Sequence, residues 1–158
     1  MSAEGNFVLR WDLHQQTVAS TLQSMWKNDE FLDVTIASDD GQINAHKFIL
    51  SAASPFFQTV LKHNPHSHPL LYLRGTTKKD IQSLLDFIYS GEAQIHHEEL
   101  DNFMSLANSL QVRGLEVDVS DMKIVTDEEY VELMGIETKK IESDELLIED
   151  HLVTARKD

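Results

Sequence analysis

Cysteine is absent from this 158-residue chain, which rules out both a disulfide framework and a thiolate metal site and suits a reducing compartment. There are only six glycines, scattered at turns, and three prolines. No phosphate-binding glycine loop, no Gly-x-Ser-x-Gly and no His-Glu-x-x-His occurs, so the common signatures of nucleotide-binding, esterase and zinc-protease chemistry are missing. Apolar runs are short and interrupted by charge, too short to span a bilayer, and Met1-Ser2-Ala3-Glu4-Gly5 lacks the basic and apolar regions of a secretory signal. Cations are the minority: 13 Lys and Arg stand against 27 Asp and Glu, for a formal net charge of −14. Such a chain is not built to grip a phosphate backbone by itself. The acid is concentrated at one end, because residues 118–158 hold 13 Asp and Glu against 5 Lys and Arg and so supply −8 of the −14.

What the chain does have is enough apolar material, 41% hydrophobic residues, for one domain of ordinary size plus an appendage. Phe7 to Arg10 reads as a short strand. Asp12 is placed to cap a helix running to about Asn28, with Val18, Leu22, Met25 and Trp26 on one face and Leu13 off that stripe. A helix with apolar groups on more than one face meets more than one surface.

Val34 and Ile36 alternate with Asp33 and Thr35, the period of a half-buried strand, and Ser38-Asp39-Asp40-Gly41 signals a hairpin turn. After the second strand the chain turns helical, and Ser54-Pro55 sets a capping hydroxyl before a proline at the first position of another helix, carrying Phe56, Phe57, Val60 and Leu61. Pro69 opens a strand over Leu70 to Leu73, in an edge or first position. Thr77 and Asp80 resemble a capping box, with Asp in place of Glu, for a helix from about Lys78 to Ser90, with Ile81, Leu84, Leu85 and Ile88 inward and Gly91 placed to supply its left-handed stop. Leu100, Phe103, Met104, Ala107 and Leu110 repeat the pattern, and a last short helix is expected after Arg113-Gly114. Helices alternating with short strands, without a repeating parallel unit, indicate an α+β domain whose small sheet is covered by helices.

The order of these elements around Phe31–Phe57 resembles the centre of a BTB/POZ domain. Phe7-Val8-Leu9-Arg10-Trp11 with Asp12-Leu13-His14 is similar to the N-terminal signature of the Tramtrack group of insect BTB domains. His68–Leu73, Leu84–Glu92 and Leu106–Leu115 follow in that family's order and spacing, so the resemblance covers residues 6 to 117. It implies a BTB/POZ fold over residues 6–117, between a flexible N-terminus at 1–5 and an acidic tail at 118–158.

The resemblance also implies self-association, with the N-terminal strand exchanged between subunits and the first helices packed across a two-fold axis. The residues that carry over are Phe7, Val8, Leu9 and Trp11 for the strand, Leu13, Thr17, Val18 and Thr21 for the first helix, and Phe48, Ser51 and Ala52 for the next. The residues alone leave open whether Phe7–Trp11 is instead an edge strand within one chain. The Tramtrack likeness further implies assembly beyond a dimer, through exposed sheet edges or another apolar patch. Asp33 and Lys47, fourteen residues apart, match a charged pocket at the dimer groove of the family where partner peptides dock. Lys stands where many relatives have Arg, which removes bidentate pairing. An ordinary ion pair tethering helix to strand accounts for the same two residues.

His63, His66 and His68 are three imidazoles in six residues, yet two prolines frame them and no cysteine or carboxylate lies within the segment to complete a site. They read as a surface loop, and His96-His97 as a loop and helix start. From Val117 onward acidic clusters alternate with small apolar groups, a composition expected to be disordered or only transiently helical. Leu146-Leu147-Ile148-Glu149-Asp150 resembles a SUMO-interacting pattern, and a solvating acidic tail is the plainer reading. No catalytic residue, metal site or cofactor is expected. The function expected is a non-enzymatic self-association domain of a nuclear transcription or chromatin regulator, its partners being itself, other BTB proteins and co-regulators, with no direct nucleic-acid contact. A cullin-type ubiquitin ligase adaptor is the alternative.

Overall fold

The computed structural model describes residues 5–115, 123–125 and 152–154. Three strands form the sheet, in the order β2-β1-β3: β1 (Val34–Ala37), β2 (Gln42–Ala45) and β3 (Leu70–Tyr72). β1 and β2 pair antiparallel with Ala37 opposite Gln42, and the four residues Ser38–Gly41 close the hairpin with Ser38 N–H donating to the Gly41 carbonyl. A Cβ at Gly41 would lie 2.9 Å from Cδ of the Lys78 side chain, a flexible group that can move aside. The Asp40 carboxylate accepts from the Lys78 N–H, fixing the turn to the start of a helix on the other side. β3 returns parallel to β1, Thr35 opposite Leu70 and Ala37 opposite Tyr72.

The helices are α1 (His14–Lys27), α2 (Lys47–Ala53), α3 (Pro55–Lys62), α4 (Lys78–Ser90) and α5 (Leu100–Ser109), with a 3-10 turn at His97–Glu99. Their ends follow the sequence signals closely. Ser54 accepts from the Phe57 N–H with Pro55 in the first helical position. Thr77 and Asp80 form a complete capping box on α4, and Gly91 ends it at φ 80°. α1 departs from expectation: Leu13, not Asp12, occupies its N-cap, and no side chain caps it.

Val34, Ile36, Leu50, Phe57, Ile81, Leu84 and Leu85 are fully buried where the inner sheet face meets α2, α3 and α4. Thr35 is buried as well, although it points to the opposite face. Its hydroxyl lies 2.7 Å from Asn44 Oδ1 and 2.8 Å from His68 Nε2, which cover it. The buried Ser54 also donates to the Leu110 carbonyl, and Arg113 N–H donates to the Ala53 carbonyl, so the C-terminal end of the domain is stitched to the α2–α3 corner.

Residues 7–10 form no strand in the single chain, since a strand is defined by its pairing partner and none is supplied. Within the tail, expected to lack regular structure or to be transiently helical, β4 (Lys123–Val125) pairs antiparallel with β5 (Leu152–Thr154). The remaining tail residues, the Leu146–Asp150 motif included, and the helix expected just beyond Gly114 lie outside the described residues.

Candidate association surface

The N-terminal approach to the fold is apolar and in water. Phe7 is 92% exposed and Leu9 95%, with Val8 little less. Trp11 packs edge-on against His14, ring centroids 4.9 Å apart, and remains more than half exposed. The exposure continues into α1. Every residue from Asp12 to Thr21 is exposed, and the helix meets the domain only through its C-terminal half, where Leu22 and Met25 are partly covered and Trp26 is buried. Leu13, Thr17, Val18 and Thr21 therefore face solvent together along two turns, with Thr21 donating its hydroxyl proton to the Thr17 carbonyl instead of reaching outward.

α2 presents the other expected residues. Phe48 is 62% exposed, Ala52 exposed and Ser51 half-buried. They line a groove of about 470 Å³ with Lys47 at one end and Gln58, Leu61 and Lys62 of α3 along its side. The fold thus brings Phe48, Ser51 and Ala52 into one feature, and leaves Phe7–Trp11 without a covering element among the described residues.

Asp33 and Lys47 do come together, but not as an ion pair. Asp33 Oδ1 accepts from the Lys47 backbone N–H at 2.7 Å, at the opening of α2. The Lys47 ammonium turns away to the His66 and Ser67 carbonyls, at 2.7 and 3.1 Å. The tether between strand and helix is therefore a carboxylate on an orphan helix N–H, and the lysine charge serves to hold the α3–β3 loop.

The histidines of that loop are used locally. His63 Nδ1 bonds the Thr59 carbonyl, His66 Nδ1 accepts from the His68 N–H, and His68 meets Thr35. Among the described residues no cluster of three His, Asp or Glu side chains is arranged to hold a metal ion, and no helix is long and apolar enough to cross a membrane.

Sequence reasoning did not single out Phe31, Leu70 and Tyr72, which are also exposed. Phe31 sits at φ 60°, a conformation unusual for a bulky residue, and nothing in its sequence neighbourhood signals it. Leu70 and Tyr72 had a signal: they alternate with Leu71 behind a proline that marks an edge strand.

The model of the family described as the BTB/POZ domain matches residues 22–126. Protein abrupt of Drosophila melanogaster is 40% identical over 110 residues, covering 70% of this chain but 12% of that protein. The alpha isoform of Protein tramtrack, from the same fly, is 39% identical over 121 residues, 77% of this chain and 15% of its own length. The chain spans a small fraction of those relatives. It spans 97% of another fly relative, Longitudinals lacking protein-like, at 34% identity over 123 residues. Among solved structures, the BTB domain of zebrafish PATZ1 superposes with a TM-score of 0.62 at 22% identity, over 70% of this chain and 91% of that one.

Proposed function

The chain belongs to the BTB/POZ family, a family of protein-interaction domains, and from that premise we propose that it is a self-association module whose contact surface is Phe7–Trp11, the outer face of α1 and the exposed side of α2. The observation that carries this reading is the exposure of Phe7, Val8 and Leu9 at the head of a helix whose first two turns are exposed. Burying each such side chain contributes roughly 1.5–3 kcal/mol, so a second copy that supplies a sheet edge for Phe7–Arg10 and a helix face for Leu13, Thr17, Val18 and Thr21 removes a large cost of solvation. The strand absent from the single chain forms on that pairing. The groove lined by Lys47, Phe48, Ser51 and Ala52 of α2 lies beside Asp33, whose carboxylate accepts from the Lys47 N–H, and this groove is where a partner peptide would dock.

The likeness to Protein tramtrack supports a place in a nuclear transcription or chromatin regulator. The module's contribution is multivalency: joining copies raises the effective concentration of whatever DNA-binding modules are attached or bound, without a DNA contact of its own. A net charge of −14 fits that division of labour. This reading requires no catalytic residue and no cofactor.

Deleting residues 1–11 tests it. Light scattering coupled to size exclusion should give a lower mass for the deleted chain than for the intact one at equal concentration. Equal masses would remove the exchanged strand from the account.

A further inference from the structure

The chain leaves the domain beside the groove between α2 and α3. Arg113 N–H donates to the Ala53 carbonyl and the Ser54 hydroxyl to the Leu110 carbonyl, so the residues just before Leu115 are held at the corner where α2 passes into α3. Ala53 follows Ala52, which lines the groove together with Phe48, Leu61 and the two lysines Lys47 and Lys62. No acid is among the lining residues. Asp33 is spent on the Lys47 backbone N–H, and the Lys47 ammonium rests on the His66 and Ser67 carbonyls, neutral acceptors that leave its charge in place. In a chain of net −14 the groove is thus an apolar hollow that carries two cations and no carboxylate.

We propose that the chain's own acidic segment Asp144–Asp150 occupies this groove, with Leu146, Leu147 and Ile148 against its apolar lining and the flanking carboxylates toward Lys47 and Lys62. The proposal rests on the reading of the groove as a peptide site and names the peptide. The order of the segment matches the groove: two acids, three aliphatic residues and two acids again, an apolar centre with charge at both ends set against an apolar hollow with cations. Bound there, the segment competes with partner peptides, and because its ends are held by exposed charge pairs the contact weakens as salt rises.

The tether favours this segment over a peptide from elsewhere. Residues 116–122 alone separate Leu115 from β4, and Val125 of β4 stands opposite Leu152 of β5. That pairing brings the chain back close to Asp150. At roughly 3.5 Å per residue it cuts the longest path from Leu115 to Leu147 from about 110 Å to about 60 Å, and so raises the effective concentration of the segment at the corner where the chain emerges. A free acidic peptide, by contrast, must approach a chain of net −14 against its overall charge.

The chain has no cysteine, so Ala52→Cys in the groove and Ser105→Cys on the exposed side of α5 each give the full chain a single thiol probe. An altered tail carries Leu146→Ser, Leu147→Ser and Ile148→Ser with Asp144→Asn, Glu145→Gln, Glu149→Gln and Asp150→Asn. Maleimide labelling of Ala52→Cys should run roughly tenfold faster with the altered tail, because the tethered segment no longer shields the thiol. Labelling of Ser105→Cys should not change. A synthetic peptide of residues 143–151, added to the chain with the altered tail, should slow Ala52→Cys again. Equal Ala52→Cys rates with either tail overturn the tail contact; the groove reading then stands if the added peptide still slows labelling, and falls if it does not. A rate that rises on dilution with both tails means that a second copy covers α2, and overturns the tail contact as well. Faster labelling that the peptide does not reverse, or that Ser105→Cys shares, removes the groove as the seat of the segment.

Discussion

At the scale of single residues, the least legible feature is the buried polar set behind α1. His46 Nε2 lies 2.7 Å from the Glu30 carbonyl, an acceptor only, so that nitrogen carries the proton. Nδ1 therefore accepts from the Tyr89 hydroxyl at 2.6 Å, and the Tyr89 oxygen in turn accepts from the His46 backbone N–H at 3.0 Å. Tyr89 also stacks on Trp26 with centroids 4.5 Å apart, and Trp26 donates its indole N–H to the Asn44 carbonyl. Tyr89→Phe leaves two buried groups of His46 without this partner and should cost about 1–3 kcal/mol in urea unfolding. Burial pushes the Tyr89 hydroxyl up to about 12, from an ordinary value of 10.0. Because the folded state holds that proton more tightly, the associated stability is whole below pH 10 and is lost as pH climbs from 10 through 12. A pH series of unfolding midpoints should show that decline, made shallower by Tyr89→Phe. Sequence periodicity finds apolar positions such as Val34, Ile36 and Leu84, but it is silent on a histidine and tyrosine forty-three positions apart that meet only through the tertiary fold.

At the scale of elements, local chemistry was readable wherever an element is finished by its own neighbours. The capping box at Thr77 and Asp80, the left-handed stop at Gly91 and the Ser54-Pro55 start all stand where the residues place them. Thr77→Ala removes the hydroxyl that accepts from Asp80 N–H and should lower stability by about 0.5–2 kcal/mol, seen as a lower thermal midpoint with no change in assembled mass. Elements that depend on something else were not readable in the same way. Phe7–Arg10 has strand-like residues yet no strand, because pairing is not a property of one segment. α1 looked anchored by Asp12, yet its first half stands away from the domain. Of the expected site, Phe48 and Ala52 are exposed on α2 and Ser51 is half-buried, and Asp33 meets the backbone N–H of Lys47, not its ammonium.

At the scale of the whole molecule, the described chain is a BTB/POZ domain with a closed interior and an open apolar approach. Its core closes within one copy: no buried side-chain nitrogen or oxygen among the described residues lacks a hydrogen-bond partner. What remains unsatisfied is arranged along one route, from Phe7 through α1 to α2, with a second unpaired edge at β3. Net charge of −14 opposes assembly at low salt, so the apolar segment must supply the attraction. The central claim is that Phe7–Trp11 is covered by another copy of the chain. Hydrogen exchange of the Phe7–Arg10 amides across a concentration series measures that cover directly. The account predicts protection of these amides at high concentration, lost on dilution together with the scattering mass. Amides that exchange at the rate of an open chain while the mass is that of two or more copies would contradict it.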